Sequence, residues 1–257
     1  MRIPIKFLLL FLVFSLFVAC ATGVLPSRDE GSEDREADTV SPNLQLGLGY
    51  IHIGNNVRAK QKLLAAIEQA PHSPEANGAM AYYAETTGDI ELAEAYYQKA
   101  LRYSGGEGAP FNNYGVFLCR QGNYQQAQQY FNTALQDQNY LNVAGIYENA
   151  GICAMLTSDF KQAEEYFIKS INHDSKRPTS LLQLAELRYQ QKKYQQAHSY
   201  LQAYEKTASL TAKSAWLGYN IAMKNNSSEN LGSYAFVLSE EFPDSREYLL
   251  LSAGESI

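Results

Sequence analysis

An all-α chain, folded as a right-handed α-solenoid of about six helix-turn-helix units, is what this sequence predicts from three observations. The first is a run of Gly, aromatic, Ala, bulky residue and small residue that recurs about every 34 positions. The second is a dipeptide ending in a small residue that precedes each run: Met80-Ala81, Tyr114-Gly115, Ala150-Gly151 and Leu184-Ala185. The third is composition, with 19 Tyr beside a single Trp in 257 residues. A period of this length is too short for a domain and too regular for chance. It is one supersecondary unit, repeated.

The first unit runs Leu46-Gly47, Tyr50, Gly54, Ala59, Leu63 and Ala66, and closes on Pro71. The second carries Gly88, Ile90, Ala93, Tyr97 and Ala100, and the third Gly122, Tyr124, Ala127, Phe131 and Ala134. The fourth has Phe160, Ala163, Phe167 and Ser170. The fifth has Tyr194, Ala197 and Leu201, with Tyr204 in place of the usual small residue. A sixth, degenerate unit starts near Trp216-Leu217-Gly218 and ends at Glu241, ahead of Phe242-Pro243. Small residues such as Gly115 and Ala127 let two antiparallel helices approach, and Phe131 or Phe167 fills the space towards the next pair. These are the features of tetratricopeptide (TPR) repeats, in which neighbours stack into a superhelix with a concave inner wall. The repeats occupy residues 42–250 and a short tail follows at 251–257.

Ahead of them, Arg2 and Lys6 precede an apolar run from Phe7 to Val18, interrupted only by Ser15. A basic start and a short apolar stretch make a secretory signal, too short to span a bilayer. Its end, Phe17-Val18-Ala19-Cys20, resembles a bacterial lipoprotein signal, with Phe17 where Leu is usual. Residues 1–19 are then the signal and Cys20 the lipid attachment site, carrying diacylglycerol and acyl (palmitate) groups. An ordinary cleaved signal with an incidental Cys is the competing reading. Ala21, rather than Asp, points such a lipoprotein to the outer membrane. Residues 20–41 hold Asp29, Glu30, Glu33, Asp34, Glu36 and Asp38 against Arg28 and Arg35, with no apolar period. That composition is a disordered acidic tether.

The charge balance, 21 basic against 27 acidic residues, excludes the basic face of a nucleic-acid binder. Among candidate sites, the concave wall comes first, because the first helix of each unit builds it. The spacing assigns to it Leu48, Ile51, Tyr82, Asn112, Val116, Arg120, Ile152, Met155 and Tyr189. That face is more apolar than a solvated groove, which marks a partner site for a helix or an extended segment.

Cys119 and Cys153 fall on the first helices of adjacent units. A disulfide between them needs a Cα separation of about 4.4–6.8 Å, and two buried free thiols are the alternative. His52, His72, His173 and His198 are scattered, so no metal site is expected. Gly105-Gly106-Glu107-Gly108 lacks the Lys and Ser/Thr of a phosphate loop and reads as an inter-unit loop. With no catalytic constellation, the chain is expected to be no enzyme and to use no cofactor beyond the lipid on Cys20.

Longer strings carry a sharper likeness. Asn112-Asn113-Tyr114-Gly115-Val116-Phe117-Leu118-Cys119, then Gln121-Gly122-Asn123-Tyr124, is the clearest. Glu148-Asn149-Ala150-Gly151-Ile152-Cys153, Ser180-Leu181-Leu182-Gln183-Leu184-Ala185-Glu186-Leu187 and Phe242-Pro243-Asp244-Ser245-Arg246-Glu247-Tyr248 agree with it. Together they resemble the type IV pilus biogenesis lipoproteins, the PilF/PilW pilotins, over residues 42–250. The resemblance implies a pilotin on the outer membrane, facing the periplasm, whose groove binds pilus secretin subunits and promotes their localisation and multimerisation. It implies further partners in outer-membrane lipid, through Cys20, and in the lipoprotein processing and sorting machinery. It leaves no role for nucleic acid or a small-molecule substrate. The competing class is a TPR scaffold lipoprotein of another envelope machine, serving outer-membrane barrel assembly or peptidoglycan synthesis.

Overall fold

The computed structural model describes residues 41–254. The expected signal, Cys20, all of the tether but Ser41, and the last three residues of the tail lie outside the described residues. Thirteen α-helices and no strand occur among the described residues. They pair in order: α1 (Pro42–His52) with α2 (Asn56–Gln69), α3 (Pro74–Thr86) with α4 (Ile90–Tyr103), α5 (Gly108–Arg120) with α6 (Tyr124–Ala134). Next come α7 (Val143–Leu156) with α8 (Phe160–His173), α9 (Pro178–Gln190) with α10 (Tyr194–Glu205), and α11 (Ala212–Lys224) with α12 (Ser228–Glu241). These are six antiparallel hairpins, stacked in chain order. A short α13 (Arg246–Ser252) packs on α11 and α12.

Local chemistry sets each helix's ends. Asn55, Ser73, Asp89, Asn142, Asp159, Thr211 and Ser245 accept a backbone N–H at their helix starts, offsetting donors that a helix leaves unpaired. Pro42, Pro74 and Pro178 stand at first-turn positions, where their missing N–H costs nothing. The turn inside every hairpin has one residue with positive φ: Gly54, Gly88 and Gly122, then Ser158, Lys192 and Asn226. The last three hold a left-handed backbone that their side chains disfavour.

Within a hairpin, contact depends on one missing side chain. A Cβ on Gly115 would lie 2.8 Å from the Phe131 ring, and one on Gly151 would lie 2.7 Å from Phe167. Gly47 meets Leu63 and Gly218 meets Tyr234 in the same way. Ala81 and Ala185 take that place, fully buried, in units two and five. The bulky partners Leu63, Tyr97, Phe131, Phe167, Leu201 and Tyr234 are all buried, and they form the spine of the core.

The structure refines two sequence boundaries and lengthens one repeat. Unit six opens at Ala212, one turn ahead of Trp216, under a capping box between Thr211 and Ser214. Helix α13 runs across the expected boundary between residues 250 and 251, seated by Tyr248, Leu250 and Leu251 against the Trp216–Leu238 cluster. Its seven residues are too few to show a helical period. Between units three and four the repeat lengthens, and the extra loop seals the start of α5, where Gly108 N–H donates to Asp137 at 2.8 Å.

Units four and five meet through a polar junction. Glu148, 8% exposed, accepts from Arg177 Nη2 at 2.7 Å and from the backbone N–H and hydroxyl of Ser180. The Ser180 hydroxyl also bonds that of Ser170, which in turn donates to the Ala144 carbonyl.

Gly151→Ala should destabilise the fold by about 1–3 kcal/mol, because its methyl must displace a fully buried ring. Gly49→Ala, helical with open space around it, should be neutral or stabilising by about 0.5–1 kcal/mol. Urea unfolding followed by circular dichroism measures both.

Candidate partner-binding groove

The first helices of the units line the concave side, and units one to four enclose a cavity of about 580 Å³ there. Leu44 and Leu48 come from α1, Gly78, Ala79 and Tyr82 from α3, and Asn149 from α7. Helix α5 contributes Ala109, Asn113, Val116 and Arg120, spaced as a single face of a helix. Tyr97 and Ala100 of α4 also line it. The lining is mostly aliphatic and aromatic, with Glu75, Asn113, Arg120 and Asn149 as its polar members. That is the composition of a site that takes apolar side chains and orients them with a few polar contacts.

Four of the nine wall residues expected from sequence line this cavity: Leu48, Tyr82, Val116 and Arg120. The other five sit elsewhere. Asn112 is a correction: it is buried between units and accepts from Asn149 Nδ2 at 3.0 Å, while its neighbour Asn113 lines the cavity. One residue turns a helix by about 100°, which takes Asn112 off the concave stripe. Ile51 is half-buried against the core of unit one, and Met155 against the Phe167–Leu187 cluster. Ile152 is exposed on α7 beyond this cavity. Tyr189 lines a second cavity of about 540 Å³ with Trp216 and Leu250, at the units five and six end. A strict i, i+4, i+7, i+11 count from Ala109 would have found Asn113, whereas Tyr97 and Ala100 needed the packing of a second helix.

One charged cluster stiffens the wall. The Glu85 carboxylate, with a side chain 9% exposed, accepts from the Tyr97 hydroxyl at 3.0 Å and from Arg120 at 3.1 Å. Burial, then the Glu85 charge, push the Tyr97 phenol well above its ordinary range. Arg120 keeps more than half of its side chain exposed, so it remains able to meet a carboxylate from a partner.

Behind Arg120, a Cys119–Cys153 disulfide joins α5 to α7, with the Cα atoms 5.8 Å apart. The sequence left that separation open because the two Cys differ by two positions in their units. The packing of α7 on α5 brings the two Cα atoms within bridging distance, and both cysteines lie in the core. Among the described residues, no group of three or more His, Cys, Asp or Glu side chains is placed to hold a metal ion.

Comparison with known proteins places this geometry. The tetratricopeptide repeat family matches residues 44–111 and 107–176. The type IV pilus assembly protein PilF of Pseudomonas aeruginosa is 33% identical over 240 residues, covering 92% of this chain and 95% of PilF. The chain belongs to the PilF family. The solved Pseudomonas aeruginosa PilF structure superposes with a TM-score of 0.72 at 33% identity, covering 83% of this chain and 96% of that one. PilW, a widely conserved type IV pilus biogenesis factor, gives a TM-score of 0.70 at 24% identity, over 82% of this chain and 96% of its own, and shows the same fold. As a PilF-family member, the protein is a TPR protein of type IV pilus biogenesis, built from protein-interaction repeats.

Two predictions follow from the wall. Replacing Cys119 and Cys153 together by Ser opens a loop 34 residues long and should lower stability by about 3–4 kcal/mol, read as a shift in denaturation midpoint. The second concerns pH. Burial raises the phenols of Tyr97, Tyr114 and Tyr234 from the usual 10.0, so above pH ~10 the folded chain keeps protons that the unfolded chain loses. Stability should be undiminished by these groups below pH ~10 and fall above it, and Tyr97→Phe should flatten that fall in a pH series of thermal melts.

Proposed function

We propose that this protein is an outer-membrane pilotin: a lipid on Cys20 fixes its address, and the concave groove grips subunits of the pilus secretin. The cavity across units one to four carries the binding half of this reading, because it offers apolar surface in a concave array whose repeats act through proteins. Its volume suits a short segment laid as a helix or an extended strand, with its apolar side chains between Leu48, Tyr82 and Val116. A carboxylate on that segment would complete the exposed side of Arg120. The family membership supports pilus assembly as the setting, and the likeness of the Phe17–Cys20 signal to a lipobox supports the anchor. Holding secretin subunits at the membrane raises their local concentration there, which favours multimer formation by mass action.

Two variants separate address from grip. Cys20→Ala should release the protein from membranes and leave secretin multimers scarce in the outer membrane, as seen by fractionation and immunoblotting. Tyr82→Glu, at a residue 40% exposed and therefore compatible with folding, should keep the helical spectrum and reduce secretin recovery in a detergent pull-down at least tenfold. Undiminished recovery by Tyr82→Glu would move the contact off the groove. Normal multimers with Cys20→Ala would remove the lipid from the mechanism.

A further inference from the structure

The concave wall continues past the first cavity. With Gly47, Ala81, Gly115, Gly151, Ala185 and Gly218 in register, the next residue of each first helix makes one row: Leu48, Tyr82, Val116, Ile152, Glu186 and Tyr219. Its first three members line the cavity of units one to four, and Glu186 lines the cavity of units five and six. Two residues before the register position, Ala79, Asn113 and Asn149 line the first cavity and Trp216 the second. Five residues after it, Arg120 lines the first and Gln190 the second. Steps of three and four residues keep these positions on one helix face, so the two cavities open on the same side of the solenoid.

The stretch between them is apolar as well. Helix α7 packs against both α5 and α9, and its Ile152 and Leu156, four residues apart, are 39% and 56% exposed outside both cavities. Leu156 stands where units one, two, three and five carry His52, Thr86, Arg120 and Gln190. Alongside runs a row of carboxamides, Asn113, Asn149 and Gln183, and a carboxamide offers a donor and an acceptor as a peptide group does. Where the apolar row reaches unit five, Lys213 takes up the Glu186 carboxylate at 2.9 Å, so no unpaired charge interrupts the row. Beyond it the second cavity has Tyr189, Trp216, Leu217 and Leu250 as apolar lining.

We propose that the polypeptide segment held in the first cavity is extended, continues across α7 over Ile152 and Leu156, and places a further apolar side chain in the cavity of units five and six. This rests on the first cavity being the partner's groove, and it adds a second station, a conformation and a length. Neighbouring helices pack about 8–10 Å apart, so the path from α5 through α7 and α9 to α11 is about 30 Å. An extended chain crosses that distance in about nine residues. Its peptide groups are free to meet the carboxamide row, whereas those of a helix are tied up in the helix's own hydrogen bonds. With both stations on one segment, the second contact is intramolecular, and either cavity alone holds the segment weakly.

Biosynthetic 5-fluorotryptophan puts a single fluorine probe in the full chain, at Trp216, its only tryptophan. Titration with purified, unlabelled pilus secretin subunits should shift or broaden that resonance and saturate at one subunit per chain. Leu156→Glu, at an exposed site between the cavities, should keep the helical spectrum and weaken binding at least tenfold. Gln125→Glu, an equal charge on the exposed surface of a second helix, should leave affinity unchanged. A Trp216 resonance that stays in place at saturation, while Tyr82→Glu still removes binding, overturns the second station and leaves the groove standing. Two subunits per chain overturn the single segment. Binding undiminished by Tyr82→Glu removes the groove, and this inference with it.

Discussion

The contact between a residue with little or no side chain on the first helix of a hairpin and a large side chain on the second is what the remaining structure depends on. In units three and four the pair is Gly115 with Phe131 and Gly151 with Phe167. Because a Cβ would overlap the ring, the two helix axes can approach only where that carbon is missing or is Ala alone. The close approach sets how each hairpin packs, and similar hairpins stacked in series form the solenoid. The concave wall is thus a consequence of packing on its opposite side. Residues such as Val116 and Tyr82 line that wall and stay partly exposed.

A groove made from separate helices holds its shape only if those helices do not slide. Three kinds of tie resist sliding, each across a different joint. Tyr97 and Arg120 meet on Glu85 between units two and three, the disulfide joins units three and four, and Glu148 gathers Arg177 and Ser180 between four and five. The first and third bury carboxylates, which cost desolvation and return little net stability. What such buried charges add is register: a one-residue slip would strand a charge in the core. A wall pre-set in this way orders less on binding, so more of the contact energy appears as affinity.

The repeat, the fold class and the order of the hairpins were legible in the sequence because they rest on residue size at fixed spacing, and size is written in every letter. The inner wall was legible only in part. Val116 and Arg120 were found by their helical spacing, but Asn112 was taken for its neighbour because a helix face is about one residue wide at the edge of a groove. Tyr97 and Ala100 come from a second helix, and their arrival in the cavity is a fact of tertiary packing. Helix α13 was missed for another reason. It is held from outside, by Trp216 and Leu238, and its own seven residues carry too little pattern to declare themselves. The Cys119–Cys153 pairing lay between: the adjacency of the units follows from the repeat, and the Cα separation does not.

The wall makes its own demand on the chain. It offers apolar surface in a concavity, where large flat surfaces are excluded and a single segment can enter. The few polar groups on that lining, Asn113 and Arg120 among them, then decide which segments fit, because an apolar side chain gains from any of the groove while a polar group left unpaired costs.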